Sequence, residues 1–147
     1  MDERPTVPYW HLFTDSDGIS RQKPCLMTEF KFESMKPPAD PQWLGSRTSG
    51  AMTVVVTVQP VGWIGTWHEN LWPQWIVPLS GCWFVEAMDG TRVGMDAGEI
   101  SFGGDRNCRD VDGRRGHRPG TIGDVPAMLM VVQFDGVPGP WLPCELR

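Results

Sequence analysis

Histidine is scarce in this chain, so imidazole chemistry has few places to occur. The three histidines are His11, His68 and His117. An imidazole titrates near pH 6.5 and moves a proton in either direction at neutral pH. His68 and Asn70 are two positions apart, a spacing that on a strand puts both side chains on one face. The amides of Asn70 and Gln74 are suited to holding a carbonyl or an oxyanion through their NH₂ groups.

The residues around His68 follow a regular spacing. Gly62 is followed by five residues, then His68, one residue, Asn70, three residues, Gln74, six residues and Gly81. These intervals resemble the first motif of the cupins, which reads Gly, five residues, His-x-His, three or four residues, Glu, six residues, Gly. Asn70 stands where that motif has its second His, and Gln74 stands where it has Glu.

A looser resemblance to the second cupin motif lies further along the chain. The stretch Asp96–Ile100 looks like the turn and strand that open this motif, and His117 looks like its terminal His. The loop 103–115 between them is longer than in the family and lacks the motif's proline, and Thr121 replaces the final Asn.

The resemblance covers about residues 50–135 and implies a fold. It implies an all-β protein with a single cupin barrel of the RmlC-like type, also called a double-stranded β-helix or jelly roll. In that fold His68 and His117 would meet in one pocket. The chain looks like the small bacterial single-domain cupins, which implies a homodimer paired through a barrel edge. A strand edge left unpaired is an association hazard, which favours the same expectation.

The elements that must position these residues are strands. Fourteen prolines and seventeen glycines leave little room for long helices. Short β-branched and aromatic runs predict strands at Thr53–Val58, Trp75–Leu79, Cys82–Ala87, Glu99–Phe102 and Met128–Phe134, and alternation predicts another at Glu29–Glu33. The pair Asp89-Gly90 predicts a hairpin turn.

Two regions are expected along the chain. Residues 1–50 predict an irregular arm with one or two strands that packs on the barrel, and residues 51–147 predict the barrel and a C-terminal tail. The four cysteines form no Cys-x-x-Cys pair, so they are free thiols in a reducing compartment. The sequence leaves open whether a Cys25–Cys144 or a Cys82–Cys108 disulfide forms.

Charge and hydropathy exclude several functions. The formal charge is −5 with a pI of about 5.1, and no basic run marks a nucleic-acid surface. No apolar run approaches the roughly 20 residues that span a bilayer. The N-terminal residues are acidic and polar, unlike a signal peptide. We therefore expect a cytoplasmic protein that binds a small molecule and neither nucleic acid nor membrane.

A metal at this site is an open alternative. In the cupins that the chain resembles, three His and one Glu hold Fe, Mn, Ni or Zn. Two His and two amides, as in this chain, make a poor site for a divalent metal. We expect no cofactor or a weakly bound divalent metal on His68 and His117. Asp105 or Cys108 could reach the pocket from the long loop as a further ligand.

The expected function is an enzyme that acts on a small hydrophobic or aromatic substrate by histidine-mediated proton transfer. An isomerase, cyclase, lyase or decarboxylase would use these residues. The alternatives are a metal-dependent cupin oxygenase and a non-catalytic ligand-binding cupin. The candidate catalytic residues are His68, His117 and Gln74, and the candidate substrate-binding residues are Asn70, Trp63, Trp72, Trp83 and Asp105.

Overall fold

The computed structural model describes residues 3–137 and 142–147, and their regular structure is β throughout. In chain order the strands are β1 (Val7–Thr14), β2 (Ser20–Met27), β3 (Lys31–Glu33), β4 (Gln42–Leu44), β5 (Met52–Gln59), β6 (Gln74–Ser80), β7 (Cys82–Ala87), β8 (Arg92–Asp96), β9 (Ile100–Gly103), β10 (His117–Ile122) and β11 (Ala127–Phe134). Within these residues no helix long and apolar enough to cross a membrane is found.

The strands form two opposed layers. One sheet has the order β2-β1-β9-β6-β11-β5, a second has the order β10-β7-β8, and β3 pairs with β4 alone. Isolated bridges join Ile64 to Gly120 and His68 to His117, so the segment 64–68 acts as a fourth, irregular member of the smaller sheet. The layer β5-β11-β6-β9 thus faces segment 64–68, β10, β7 and β8. This is the strand order of a jelly roll, and it confirms the predicted all-β jelly-roll barrel.

The core lies between the two layers. Ile76 and Leu129 of the larger sheet pack against Trp83 and Val85 of the smaller sheet, and Met95 is fully buried among them. Alternate residues of each strand face inward, because successive side chains of a strand point to opposite sides.

Most of the predicted strands are present. The five runs between Thr53 and Phe134 fall in β5, β6, β7, β9 and β11, and the Asp89-Gly90 turn joins β7 to β8. Gly90 has a φ of 88°, which suits glycine at a tight turn. The predicted strand Glu29–Glu33 is shorter, because only Lys31–Glu33 pairs, with β4.

Residues 3–50 contain four strands where one or two were expected. β1 and β2 extend the six-stranded sheet, and β1 pairs in parallel with β9. Tyr9 and Leu12 are buried there through contacts with residues distant in the chain. That long-range burial is invisible in the local pattern, where prolines and charges suggest an irregular arm. Residues 1–2 of the predicted arm and 138–141 of the predicted tail lie outside the described residues.

The C-terminal tail is fastened to the outer face of the larger sheet. Of the pairings left open, Cys25–Cys144 is formed, whereas Cys82 and Cys108 are free thiols. The hydroxyl of Tyr9 donates to the carbonyl of Leu146 at 2.8 Å. The tail therefore covers one half of this face.

His11 lies under this tail and is fully buried. The backbone N–H of Cys144 donates to its Nδ1 at 3.2 Å. Burial lowers the pKa of His11 to about 4, because the charged imidazolium loses its hydration. The third histidine thus serves the packing of the sheet.

We expect His11 to make the fold sensitive to moderate acid. Above pH 6.5 the imidazole is neutral in both states and has no effect. Between pH 6.5 and 4 only the unfolded chain takes up the proton, so the free energy of unfolding falls as the pH falls. A pKa of about 4 against 6.5 corresponds to about 3 kcal/mol.

Urea unfolding at pH 7 and pH 4 tests this for the wild type and His11→Gln. The variant should lose about 3 kcal/mol less than the wild type over that interval. The other titrating groups are common to both proteins and cancel. An equal loss in the two proteins would contradict the assignment.

The other half of the same outer face is apolar and exposed. Val54, Val56 and Val58 of the edge strand β5 are 60%, 52% and 57% exposed, and Leu79 and Met128 continue the surface. Neither β5 nor β11 contains a charged residue. Contiguous apolar surface of this kind marks association sites in soluble proteins, and an uncharged edge strand adds unpaired backbone groups.

We expect the predicted homodimer to form through this face, since a self-complementary surface without charge suits a second copy of the chain. Val56→Lys should convert the dimer to a monomer in light-scattering measurements after gel filtration. Val61→Lys is the matched control, because Val61 is equally exposed, at 52%, but follows the strand. A monomeric wild type would contradict the dimer, and a dimer that survives Val56→Lys would place the interface elsewhere.

Candidate functional site

A cavity of about 320 Å³ lies between the two layers. Its walls come from β5, β6 and β11 on one side and from β7, β10 and the segment around residues 63–68 on the other. The lining residues are Thr57, Val58, Gln59, Trp63, His68, Gln74, Ile76, Trp83, His117, Pro119, Leu129 and Val131.

His68 and His117 meet at this cavity. Their backbones bond reciprocally: the N–H of His68 donates to the carbonyl of His117 at 3.0 Å, and the reverse bond is 2.9 Å. Their ring centroids are 4.5 Å apart with an interplanar angle of 53°. His68 is exposed, whereas His117 is only 4% exposed. The structure therefore brings the two histidines of the separate motifs together.

A buried carboxyl group orients His117. Asp105 is fully buried in the loop between β9 and β10, and its Oδ2 lies 2.7 Å from Nδ1 of His117. The other oxygen, Oδ1, accepts a bond of 2.7 Å from Nδ2 of Asn70. Because the carboxyl group is the acceptor, Nδ1 of His117 carries the proton. The opposite edge of the ring, with Nε2, is the edge available to the cavity.

His68 is held in the same tautomer by a different partner. Its Nδ1 lies 2.8 Å from the carbonyl oxygen of Thr66. A carbonyl only accepts, so Nδ1 donates and Nε2 keeps a free lone pair when the ring is neutral. The two rings, with centroids 4.5 Å apart, thus place two Nε2 atoms at one site.

Two glycines allow this arrangement. Gly116 has a φ of 84°, and a Cβ there would collide with the backbone of His68. A Cβ on Gly103 would collide with the side-chain amide of Asn70. Close approach of the strand and the loop therefore requires glycine at both positions.

The structure separates the predicted site residues into two groups. His68, His117, Gln74, Trp63 and Trp83 line the cavity. The three other predicted residues do not line it.

Asn70 and Asp105, predicted to contact substrate, are buried behind His117 and bond to each other. Trp72 is half-buried and has the guanidinium of Arg106 5.0 Å from its ring centroid. The i, i+2 rule that placed Asn70 beside His68 assumes a regular strand. Segment 64–68 makes only isolated bridges, so the chain turns away after His68.

The donor set does not fit a resident divalent metal. The side chain of Asn70 is bonded to Asp105, and the carboxyl group of Asp105 is bonded to His117. The groups left as possible metal ligands are two imidazoles and Gln74. Cys108, which the sequence offered as an alternative to Asp105, is buried with its Sγ 3.2 Å from Oγ1 of Thr14, and burial raises the pKa of its thiol. No group of three His, Cys, Asp or Glu suited to a metal occurs within residues 3–137 and 142–147.

Thr57 and Gln59 of β5 also line the cavity, and they were not predicted as site residues from the sequence. They alternate with Val56 and Val58 at the end of a predicted strand, and the polar positions face inward instead of outward. The two polar residues at alternate positions, Thr57 and Gln59, were the signal that could have found them.

The chain is distantly similar in structure to solved bacterial proteins. Protein NMB1881 from Neisseria meningitidis is 16% identical, with a TM-score of 0.42, over 63% of this chain and 84% of that chain. A protein proposed to be ethanolamine utilization protein Q (EutQ) from Salmonella typhimurium LT2 is 12% identical, with a TM-score of 0.43, over 90% of this chain and 99% of that chain. No protein-family model matches the sequence, and no curated protein is significantly similar to it. The strand order and the cavity define the class of the protein as an all-β jelly-roll barrel.

We expect Asp105 to fix the tautomer of His117. In Asp105→Asn the amide oxygen keeps the bond that Asn70 donates, so the NH₂ group faces Nδ1 of His117 and moves the proton of that ring to Nε2. Proton–nitrogen NMR correlation of the imidazole rings reads the tautomer without any substrate. The ring of His68, which bonds to Thr66, is the internal control and should not change. A His117 ring that keeps its proton on Nδ1 in Asp105→Asn would show that the loop carboxyl group does not control it.

Proposed function

We propose that the protein is an enzyme that transfers protons on a small, largely apolar molecule through His68 and His117. The observation that carries the proposal is the bond of 2.7 Å between buried Asp105 and Nδ1 of His117, with the His68 ring on the cavity side. A carboxyl group behind a histidine that faces a cavity is the arrangement that enzymes use to orient a general base.

His117 is suited to remove a proton from the substrate. Its Nε2 accepts the proton, and the ring becomes an imidazolium whose Nδ1–H stays bonded to Asp105. The carboxyl group stabilises that positive charge and prevents the ring from turning. For a carbon acid beside a carbonyl, the electron pair of the C–H bond moves into an enolate. Gln74 lines the same cavity and has an N–H group to donate to the enolate oxygen.

His68 is suited to return a proton at a second position. Its ring is adjacent to that of His117 and more exposed, so it exchanges protons with solvent more readily. Donation from an imidazolium at His68 to another atom of the enolate completes an isomerisation, and solvent restores both rings. Donation to a leaving group instead gives an elimination.

The walls favour an uncharged, apolar substrate. Trp63, Ile76 and Leu129 supply apolar surface, and none of the residues lining the cavity is Lys or Arg. An apolar enclosure strengthens hydrogen bonds to the enolate oxygen because water competes less there. A cytoplasmic location is part of the proposal, and there the Cys25–Cys144 disulfide would have to persist against reduction.

Hydrogen exchange in D₂O tests proton transfer before the substrate is known. The probe is 2-indanone, a neutral aromatic ketone with acidic α-hydrogens, and proton NMR follows the loss of its α-signal. The wild type should exceed the buffer rate, and His117→Asn and His68→Gln should each lower the enzymatic rate by about 100-fold or more. His11→Gln is the matched histidine control and should keep the wild-type rate.

Two results would speak against the proposal. Exchange no faster than in buffer, together with saturable binding of 2-indanone, would favour a non-catalytic ligand-binding protein. Wild-type exchange rates in both His117→Asn and His68→Gln would remove these residues from the chemistry.

A further inference from the structure

Two buried polar atoms at the cavity have no hydrogen-bond partner within the described residues. They are Oε1 of Gln59 and Nε1 of Trp83. Gln59 is 8% exposed and Trp83 is 1% exposed, and both residues line the cavity. Buried polar groups in folded proteins nearly always have a partner, and for residues that line a cavity a bound molecule is able to supply it.

Gln59 and Trp83 are both next to Thr121, at one end of the cavity. Thr121 pairs with Trp83 in the β10–β7 ladder, and its Oγ1 donates to the carbonyl of Gln59 at 3.4 Å. Thr121 follows His117 by four positions on β10, and both are buried. At 3.2–3.4 Å per residue these two positions are about 13 Å apart. Gln59 and Trp83 therefore lie away from the histidine pair.

We propose that this end of the cavity binds an amide group of the ligand, with its C=O and N–H side by side as in a lactam. The indole Nε1 of Trp83 only donates, and Oε1 of Gln59 only accepts. A ligand that satisfies both must present one acceptor and one donor close together. The absence of Lys and Arg from the cavity lining indicates that this group is uncharged. The inference deepens the proposed function by naming the chemistry of the substrate end remote from the proton transfer.

Three probes of similar size separate the possibilities. They are 2-piperidone, which has C=O and N–H, cyclohexanone, which has only C=O, and cyclopentanecarboxylate, which is an anion. The indole N–H signal of Trp83 in proton–nitrogen NMR reports binding directly. We expect 2-piperidone to bind about three- to ten-fold more tightly than cyclohexanone, as one additional hydrogen bond provides, and the anion to bind least.

Two variants assign the contacts. Gln59→Met keeps the length of the side chain and removes the acceptor, so it should abolish the preference for 2-piperidone and leave the affinity for cyclohexanone unchanged. Trp83→Phe removes the donor and should weaken both neutral probes equally, measured by shifts of the Gln74 side-chain amide. His117→Asn should bind all three probes like the wild type, which separates this inference from the proton-transfer proposal.

Several results would overturn the inference. These are equal wild-type affinities for 2-piperidone and cyclohexanone, tightest binding of the carboxylate, or no binding of any probe at millimolar concentration. A preference for 2-piperidone that survives in Gln59→Met would do the same. If either variant fails to fold, the comparison of the three probes on the wild type still decides.

Discussion

The pair of backbone hydrogen bonds between His68 and His117 is the contact on which the site depends. Segment 64–68 has no regular strand of its own, and these two bonds, with the bridge at Ile64, attach it to β10. The attachment closes one side of the barrel and fixes the separation of the two imidazole rings. Gly116 is part of this constraint, since any side chain there would separate the strand from the backbone of His68.

Burial of Asp105 is the second constraint. A carboxyl group in the protein interior is costly unless its oxygens are bonded, and here His117 satisfies one oxygen and Asn70 the other. The amide of Asn70 therefore has a structural role, because it satisfies one oxygen of the buried carboxyl group. Through this bond Asn70 holds the carboxyl group of Asp105 against His117.

The sequence predicts the barrel better than the details of its site. Hydrophobic runs and the Asp89-Gly90 turn locate the strands, because they depend on local pattern. The interval from Gly62 to Gly81 singled out His68, and the second motif singled out His117; both residues line the cavity. The contacts of Asn70 and Asp105 depend on where the irregular chain turns after His68, which no periodicity encodes. The sheet position of β1 was missed for a similar reason, since its partner β9 lies about 90 residues away.

The two faces of the larger sheet contribute to two separate hydrophobic clusters. The cavity therefore lies on one face of the sheet and the tail on the other. Ile76 and Leu129 face the cavity, whereas their neighbours Trp75 and Val132 pack with Tyr9 and Phe102 under the tail. The disulfide belongs to this outer cluster, His11 packs against it, and none of the three residues lines the cavity. A charge on His11 therefore affects the stability of the sheet without entering the hydrogen bonds of the histidine pair. His11 and His117 are both buried, but they differ in their surroundings: His11 packs under the tail among aromatic rings, whereas His117 is bonded to Asp105 and lines the cavity.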